Sequence, residues 1–280
     1  MKKITRRSFL AAAGLTAAAL ALTACGGSAS STASSTASSA AASSEAASTS
    51  AAAGELTTVE AGKLTMATNA AFPPYEMTTD AGEFEGIDVD TAQAIAEKLG
   101  LELQIDDMDF DAALLSVQQG KADIVMAGVT VTDERKAVMD FSDSYATGIQ
   151  SIIVPEGSDI ASPDDLEGKK IGTQRGTTGY IYCSDDFGDE NVVAYDNGLT
   201  AVQALNNGQV DAVVIDNAPA KEFVAANPGL VILDTSYAEE DYAIGMAKGS
   251  SLEDAINNAL EELKADGTLQ SIVDKYITAE

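Results

Sequence analysis

Arg135 lies five residues after Thr130, in a segment whose composition suits the binding of an anion. Residues 128–135 (GVTVTDER) follow a predicted strand and open a predicted helix. A guanidinium donates two parallel hydrogen bonds to a carboxylate, which a lysine ammonium cannot do. Amide groups exposed at a helix start attract negative charge as well. The segment therefore indicates a site for the carboxylate of a zwitterion; the alternative is a surface salt bridge, the usual role of an isolated arginine.

Several other chemistries are excluded by what the sequence lacks. The chain has no histidine, which removes Ser-His-Asp triads, Cys-His pairs and histidine-ligated zinc. No glycine-rich loop ends in Gly-Lys-Ser or Gly-Lys-Thr, so a phosphate-binding P-loop is absent. Asp107, Asp109 and Asp111 match the first calcium-loop spacings, but Ala112 and Gln118 replace the turn glycine and the closing glutamate. We therefore expect surface carboxylates there, and no catalytic residue, metal site or cofactor.

The charge balance is strongly acidic, with 16 Lys and Arg against 44 Asp and Glu and a formal net charge of −28. A nucleic-acid backbone requires a basic surface, so nucleic acid is excluded as a partner. The acidity is interpreted as a source of solubility. Cys183 is expected to be a small, partly buried apolar residue rather than a reactive thiol.

The sequence from residue 55 onward alternates short apolar strands with amphipathic helices, the pattern of an α/β fold. Glycine or capping residues end or begin several of these elements. The predicted strands cover residues 63–68, 123–127, 170–173, 192–195, 212–215 and 231–233. The predicted helices cover residues 88–99, 110–119, 217–226 and 252–265, with a further helix starting at 162–165.

Two segments of the chain share one sequence pattern, which we call the internal echo. Residues 114–123 (LLSVQQGKAD) and 202–211 (VQALNNGQVD) each read as a helix end, a glycine and an aspartate before a strand. Aligning the two places Gly128 and Asp216 at equivalent strand ends, where ligands gather in open parallel sheets. The echo favours two similar lobes that share a cleft; chance similarity of two α/β units is the alternative.

An ordered set of short motifs resembles the polar amino-acid family of type II periplasmic solute-binding proteins (extracellular solute-binding protein family 3) of ABC importers. The resemblance covers residues 60–277. Its motifs are TNAAFPPYE at 68–76, GIDVD at 86–90, Phe110, GKAD at 120–123, Thr130 with Arg135, DFS at 140–142, DLEGK at 165–169, GTTG at 176–179 and Asp216.

This resemblance implies a two-lobed α/β fold, with parallel-sheet lobes joined by a hinge of two crossing strands. Lobe 1 would comprise residues 55–149 and 240–280, and lobe 2 residues 150–239. The lobes would close over a bound amino acid, and the closed form would be recognised by the permease subunits of the importer. A monomer is expected.

The resemblance also implies how the ligand is held. Arg135, Thr130 and the amide of Thr178 would bind its α-carboxylate. Asp216 and the carbonyl of Gly128 would bind its α-ammonium, in agreement with the echo.

The ligand side chain would lie between Phe72 and Phe110, for which the alternative role is that of ordinary core aromatics. Asn69 and Gln174 would contact it as well. Because relatives that bind basic amino acids often carry aspartate at the position of Asn69, a polar uncharged ligand such as glutamine or cystine is expected. The expected ligand-binding residues are Asn69, Phe72, Phe110, Gly128, Thr130, Arg135, Gln174, Thr177, Thr178 and Asp216.

Two other functions are compatible with such a fold. One is a dehydratase acting on prephenate or arogenate, although no residue is marked as its carboxylate acid. The other is a sensor module that passes its ligand to a separate receptor, because no transmembrane helix follows the fold in this sequence.

The N-terminal region reads as an export signal. Residues 1–24 carry Lys2, Lys3, Arg6 and Arg7 before an apolar run that is too short for a membrane span. They end in LTAC, which resembles a bacterial lipobox; the alternative is a simple signal peptide. Residues 5–10 (TRRSFL) also resemble a twin-arginine signal, and twin-arginine and general secretory export both stay open.

The residues after this signal predict a lipid-anchored protein outside the cytoplasm. Cys25 is the expected lipidation site, carrying a lipid such as palmitate. Residues 25–54 are almost entirely Ser, Ala, Thr and Gly, which indicates a flexible linker to the cell membrane.

Overall fold

The computed structural model describes residues 56–277, so the predicted signal peptide, lipidation site and linker lie outside the described residues. The described chain is mixed α/β. Its strands are β1 (Lys63–Thr68), β2 (Ala71–Phe72), β3 (Glu76–Thr78), β4 (Phe84–Glu85), β5 (Glu102–Asp107), β6 (Ile124–Val125), β7 (Met139–Phe141), β8 (Ala146–Pro155), β9 (Ile171–Gln174), β10 (Val192–Tyr195), β11 (Ala212–Asp216), β12 (Leu230–Ile232), β13 (Ala238–Tyr242) and β14 (Gly245–Ala247). Its α-helices are α1 (Ile87–Leu99), α2 (Phe110–Gln118), α3 (Asp133–Lys136), α4 (Thr178–Phe187), α5 (Gly198–Asn206), α6 (Asn217–Ala226), α7 (Glu253–Ala265) and α8 (Thr268–Tyr276), with 3₁₀ turns at Pro163–Leu166 and Asp189–Asn191.

Two sheets form the framework, and they confirm the two-lobed α/β fold. The first has the strand order β5-β1-β6-β14-β7, in which β1 runs parallel to β5 and β6. The second has the order β10-β9-β11-β8-β12, with β13 paired to β8 and with β9 parallel to β10 and β11. A small third sheet, β2-β3-β4, follows the end of β1.

Strands β8 and β13 connect the two sheets. The chain leaves the first sheet after β7 and enters the second sheet as β8. After β13, which also belongs to the second sheet, the chain returns to the first sheet as β14. The two strands pair antiparallel from Ala146↔Tyr242 to Gln150↔Ala238. The lobe boundaries expected from the resemblance, 149/150 and 239/240, both lie within this paired ribbon.

The internal echo corresponds to two matching local structures. Gly120 follows α2 with φ 65°, and Gly208 follows α5 with φ 67°, a conformation that glycine adopts without steric cost. Asp123 and Asp211 each accept a hydrogen bond from a backbone N–H near the start of the neighbouring parallel strand, at 2.8 Å and 2.7 Å. Each also donates its own N–H to the carbonyl of that same neighbour, at 2.9 Å and 2.7 Å. The two echoed segments therefore set the register of one strand pair in each lobe.

The predicted elements coincide in position with observed ones, with three differences. The helix expected to start at 162–165 is only a 3₁₀ turn, Pro163–Leu166. The predicted strand 123–127 narrows to β6, because the chain beyond it turns toward the space between the sheets. The helix expected at Arg135 is a single turn, α3, since the chain must return at once to form β7. Strands β2, β3, β4, β5, β7, β8, β13 and β14 and helices α4 and α8 were not predicted as separate elements, and only the end of α5 was predicted, from the internal echo.

Apolar side chains fill the space between the sheets and their helices. The largest buried cluster contains residues of both lobes, including Met66, Ile124 and Tyr242 from the first and Ile153 and Ile215 from the second. Cys183, which was expected to be partly buried, is fully buried in a smaller apolar cluster of the second lobe. Among residues 56–277, no helix combines the length and the apolar character needed to cross a membrane.

Candidate functional site

A cavity of about 430 Å³, including the solvent at its mouth, lies where the carboxyl ends of β1, β6 and β11 face one another. All ten residues expected from the sequence line it, and each is placed by the end of a strand or the start of a helix. The complete lining is Asn69, Phe72, Glu76, Phe110, Ala127, Gly128, Thr130, Arg135, Gln150, Gln174, Thr177, Thr178, Val214, Ile215, Asp216 and Tyr242.

Arg135 is the cation of this lining, and its side chain is buried with 8 % of its surface exposed. Its Nη1 donates to the carbonyl of Thr130 at 2.7 Å and its Nη2 to the carbonyl of Gly176 at 3.1 Å. The guanidinium also lies 5.4 Å from the ring centroid of Phe110. Burial lowers the pKa of Arg135, and the nearby Glu240 carboxylate partly opposes that effect. Within the described chain Arg135 has no ion pair, so it is a fixed, desolvated cation available to an anion.

The N-terminus of α4 faces the same part of the cavity. Thr177 caps this helix, since its hydroxyl accepts the N–H of Tyr180 at 3.3 Å. The Thr178 hydroxyl lies 3.4 Å from that of Thr130, across from Arg135. The N–H groups of a first helical turn have no partner inside the helix and carry partial positive charge. Together with Arg135 they form a half-site suited to a carboxylate.

Asp216 supplies the opposite charge from the end of β11. Its carboxylate accepts three hydrogen bonds of 2.9 Å, from the N–H groups of Ala218 and Ile149 and from the hydroxyl of Tyr242. Burial raises the pKa of Asp216 to about 6, and these three donors limit the rise. Asp216 is thus a buried, well-oriented carboxylate, the group that a ligand ammonium requires.

Gly128 brings the backbone of the first lobe close to this region. It has φ 55°, and a Cβ atom at this position would lie 3.0 Å from the Phe72 ring and 3.2 Å from the Tyr242 ring. Its N–H donates to the Asp88 carboxylate at 3.0 Å. A side chain at this position would therefore be strained and would crowd the cavity wall.

Several hydrogen bonds at the cavity cross from one lobe to the other, including those from Tyr242 to Asp216 and between the hydroxyls of Thr130 and Thr178. Gln174 donates to the side-chain oxygen of Asn69 at 2.9 Å, and Arg135 donates to the carbonyl of Gly176. Asn69 in turn donates to the carbonyl of Met108 at 2.9 Å. Asn69 and Gln174, the two residues expected to contact the ligand side chain, are therefore hydrogen-bonded to each other across the lobes.

Glu76, which the sequence analysis did not identify, is a fully buried acid in the cavity wall. Neither of its carboxyl oxygens has a hydrogen-bond partner within residues 56–277. Burial raises the pKa of Glu76 well above its usual value, and the nearby carboxyl of Asp88 raises it further. The fold therefore favours the neutral form of Glu76, whose proton the neighbouring Asp88 carboxyl can accept.

Tyr242, Gln150 and Glu240 were also missed by the sequence analysis. All three are buried and lie on the crossing strands, Gln150 on β8 and the other two on β13. Tyr242 and Gln150 line the cavity, and Glu240 lies behind Thr130. The one sequence signal that could have found them is the alternation of β13, in which positions 240 and 242 share a face. No group of acidic or thiol ligands suited to a metal ion occurs in the described part of the chain.

Comparisons with known proteins relate this chain to a single family. The family model described as bacterial extracellular solute-binding proteins, family 3, matches residues 64–279. The chain is 33% identical over 277 residues to a probable histidine-binding protein of Neisseria gonorrhoeae, covering 96% of this chain and 95% of that protein. It is 32% identical over 226 residues to the L-cystine-binding protein TcyJ of Escherichia coli strain K12, covering 79% and 85%. A solved structure of an ancestral arginine-binding protein bound to glutamine superposes with a TM-score of 0.74 at 43% identity, covering 78% of this chain and 99% of that one.

Proposed function

Because this chain belongs to the bacterial extracellular solute-binding proteins of family 3, we propose that it captures a polar amino acid outside the cytoplasm for an ABC importer. One observation carries the proposal. The cavity places a buried arginine with a helix N-terminus on one side, and a buried aspartate on the other. This arrangement complements both charges of an α-amino acid, whose carboxylate and ammonium would otherwise lose their hydration without compensation.

In the proposed complex the ligand carboxylate binds Arg135, Thr130 and the first turn of α4, and the ligand ammonium binds Asp216. These groups belong to different lobes, so a ligand that contacts all of them stabilises the closed arrangement. Closure produces the form that the permease subunits recognise. The contacts between Asn69 and Gln174 and between Arg135 and Gly176 support this mechanism, because they join the lobes next to the ligand.

The side chain of the ligand is proposed to be a hydrogen-bond donor. Glu76 supports this proposal with two buried oxygens that lack a partner in the described chain. A neutral amide such as that of glutamine satisfies a protonated Glu76, and a cationic side chain satisfies its ionised form. Phe72 and Phe110, which both line the cavity, supply apolar surface for the rest of such a side chain.

A thermal-shift screen of the purified full chain in detergent tests this function. The protein is refolded first to remove bound ligand, and each of the twenty amino acids and cystine is then added. A ligand at about 100 times its dissociation constant stabilises a protein by about 2.7 kcal/mol, so a true ligand raises the melting temperature visibly. A screen in which no amino acid raises it would refute the proposed function.

Attachment to the membrane is a separate part of the proposal and rests on the lipobox-like residues before Cys25. A lipid on Cys25 and the linker of residues 25–54 would hold the binding domain at the outer face of the cell membrane. Expression of the Cys25→Ala variant tests this: the variant should appear in the soluble fraction, whereas the unmodified chain stays with the membranes. Equal distribution of the two proteins would contradict lipid anchoring.

A further inference from the structure

Glu240 lies on β13, one of the two strands that connect the lobes. Along this strand Glu239 and Asp241 are exposed, whereas Glu240 and Tyr242 are buried. Glu240 has 6 % of its surface exposed and pairs across the ribbon with Gly148 on β8. A charged residue is seldom buried unless its environment requires the charge. The burial of Glu240 therefore indicates a specific role for its carboxylate, unlike the exposed carboxylates of Glu239 and Asp241.

The contacts of Glu240 connect it to the carboxylate half of the cavity. Its Oε2 accepts the Thr130 hydroxyl at 2.9 Å and the Gln150 amide at 3.0 Å. Its Oε1 is buried and accepts no hydrogen bond within 3.5 Å among the described residues, although the Tyr182 hydroxyl lies near this carboxylate. Burial raises the pKa of Tyr182, and the Glu240 carboxylate raises it further. Thr130 is shared with Arg135, which donates to the Thr130 carbonyl at 2.7 Å. Glu240 and Arg135 thus act on the same residue, and the Glu240 carboxylate is the largest favourable charge on Arg135.

When an amino acid is bound, the charges of Arg135, Asp216, Glu240 and the ligand's α-carboxylate and α-ammonium add up to one net negative charge. Arg135 is matched by the ligand carboxylate, and Asp216 by the ligand ammonium. Glu240 remains as an additional buried negative charge beside the site, and its nearest cation, Arg135, is shared with the ligand carboxylate. A neutral or cationic ligand side chain is compatible with this remaining charge, whereas an anionic one adds a second buried negative charge.

We propose that Glu240 is a specificity-determining residue whose negative charge excludes amino acids with acidic side chains from this site. The inference rests on the proposed function, since it concerns the choice among amino acids. It assigns Glu240 a role that acts through charge and needs no direct contact with the ligand. Rejection by an unfavourable charge is an established way to separate ligands of equal shape.

The test compares Glu240→Gln with the matched control Glu239→Gln in the full chain. The amide oxygen that Glu240→Gln introduces can still accept from Thr130 and Gln150, so the substitution removes the charge and keeps the shape. Dissociation constants are measured by calorimetry, with weak ligands measured by competition against the tightest one. Two isosteric ligand pairs, glutamate with glutamine and arginine with citrulline, each differ by one side-chain charge.

For each ligand pair we compare the ratio of the two dissociation constants. In Glu240→Gln this ratio should change by about tenfold in favour of the more negative ligand, glutamate or citrulline. Glu239→Gln should change each ratio by less than about twofold, because its exposed charge is screened by solvent and salt. Glu240→Asp, which keeps the charge, should keep the wild-type ratios even if affinity falls. Glu240→Ala removes the same charge and gives a second measurement if the glutamine variant does not fold.

Two results would overturn the inference: a wild-type protein that binds glutamate as tightly as glutamine, or a charge-removing variant that binds with unchanged ratios. A purely structural role of Glu240 would lower all affinities together and leave the ratios as they are. A wild-type protein that binds no amino acid at all would instead refute the proposed function, so the two failures are distinguishable.

Discussion

The side chains of Glu240 and Tyr242 lie on the same face of β13 and bind opposite halves of the cavity. Glu240 accepts the hydroxyl of Thr130, in the half that holds Arg135, and Tyr242 donates to Asp216, each at 2.9 Å. Because β13 is one of the two strands between the lobes, a change in its conformation moves both contacts together. The geometry of the site is therefore coupled to the segment at which the lobes would hinge.

The contact between Tyr242 and Asp216 can be tested with Tyr242→Phe. This change removes one of three donors to a buried carboxylate, which should weaken ligand binding by about 1–2 kcal/mol, or roughly tenfold, at pH 7. Its loss also raises the pKa of Asp216 further, so affinity should recover partly at pH 8. The measurement is calorimetric titration at both pH values.

Tyr276→Phe provides the matched control, since Tyr276 donates to Asp90 at 2.9 Å away from the cavity. It should leave the affinity unchanged at both pH values. A Tyr242→Phe protein that binds as the wild type does would show that the hydrogen bond to Asp216 is irrelevant to the ligand.

Arg135 is expected to contribute most to ligand affinity. Arg135→Ala leaves a ligand carboxylate buried without its partner and should cost about 3–5 kcal/mol of binding free energy. Arg135→Lys retains the charge but cannot form two parallel hydrogen bonds, so its affinity should lie between those of the wild type and Arg135→Ala. The exposed Arg175, which pairs with Asp196 on the surface, supplies the control Arg175→Ala. Dissociation constants for the three variants measure this directly, and near-wild-type affinity of Arg135→Ala would remove Arg135 from the site.

Ligand affinity should depend on pH through Asp216. Burial raises its pKa to about 6, so the carboxylate, which is the form that pairs with an ammonium, is lost as pH falls through this value. We expect weak pH dependence above pH 7 and up to a tenfold loss of affinity for each unit below about pH 5. Asp88 also has a pKa raised to about 6 by burial, but it does not line the cavity. The dependence should therefore persist in Asp88→Asn and disappear in Asp216→Asn.

Glu76 makes the stability of the empty protein depend on pH. A carboxyl whose pKa is raised by folding stabilises the fold at low pH, and that contribution is lost as pH rises through the folded-state pKa. Glu76→Gln cannot ionise, so its melting temperature relative to wild type should increase between pH 5 and pH 9. Thermal melts of both proteins without ligand give this difference, in which the other titrating groups cancel. A constant difference would mean that Glu76 does not change ionisation in this range.

Glu76 also distinguishes the two classes of ligand side chain. A cationic side chain that pairs with Glu76 lowers its pKa and releases about one proton on binding, whereas a neutral amide releases none. Calorimetry in two buffers of different ionisation enthalpy counts these protons. Proton release that persists in Glu76→Gln would have to come from another group.

Local patterns in the sequence were sufficient to predict much of the framework. Gly100 ends α1 in the left-handed conformation, Ser162 and Asp165 form a capping box, and helix α6 spans the residues that its pattern predicted. Each of these features depends on neighbours a few residues apart, so it can be read along the chain. The internal echo and the ordered motifs predicted the two lobes and ten of the residues that line the cavity.

The acids that complete the site were decided by the tertiary structure. Glu76 and Glu240 look like any of the 44 acidic residues of the chain, and Glu240 stands between two exposed acids on β13. Burial depends on which strands and helices pack over a side chain, and those partners are distant in the sequence: Glu240 meets Thr130 across 110 positions. The sequence alone determined part of the strands, helices and caps, and it predicted ten residues that line the cavity. Only the packing of the two lobes determined which carboxyl groups lose water, and with it the charge and proton balance of the cavity.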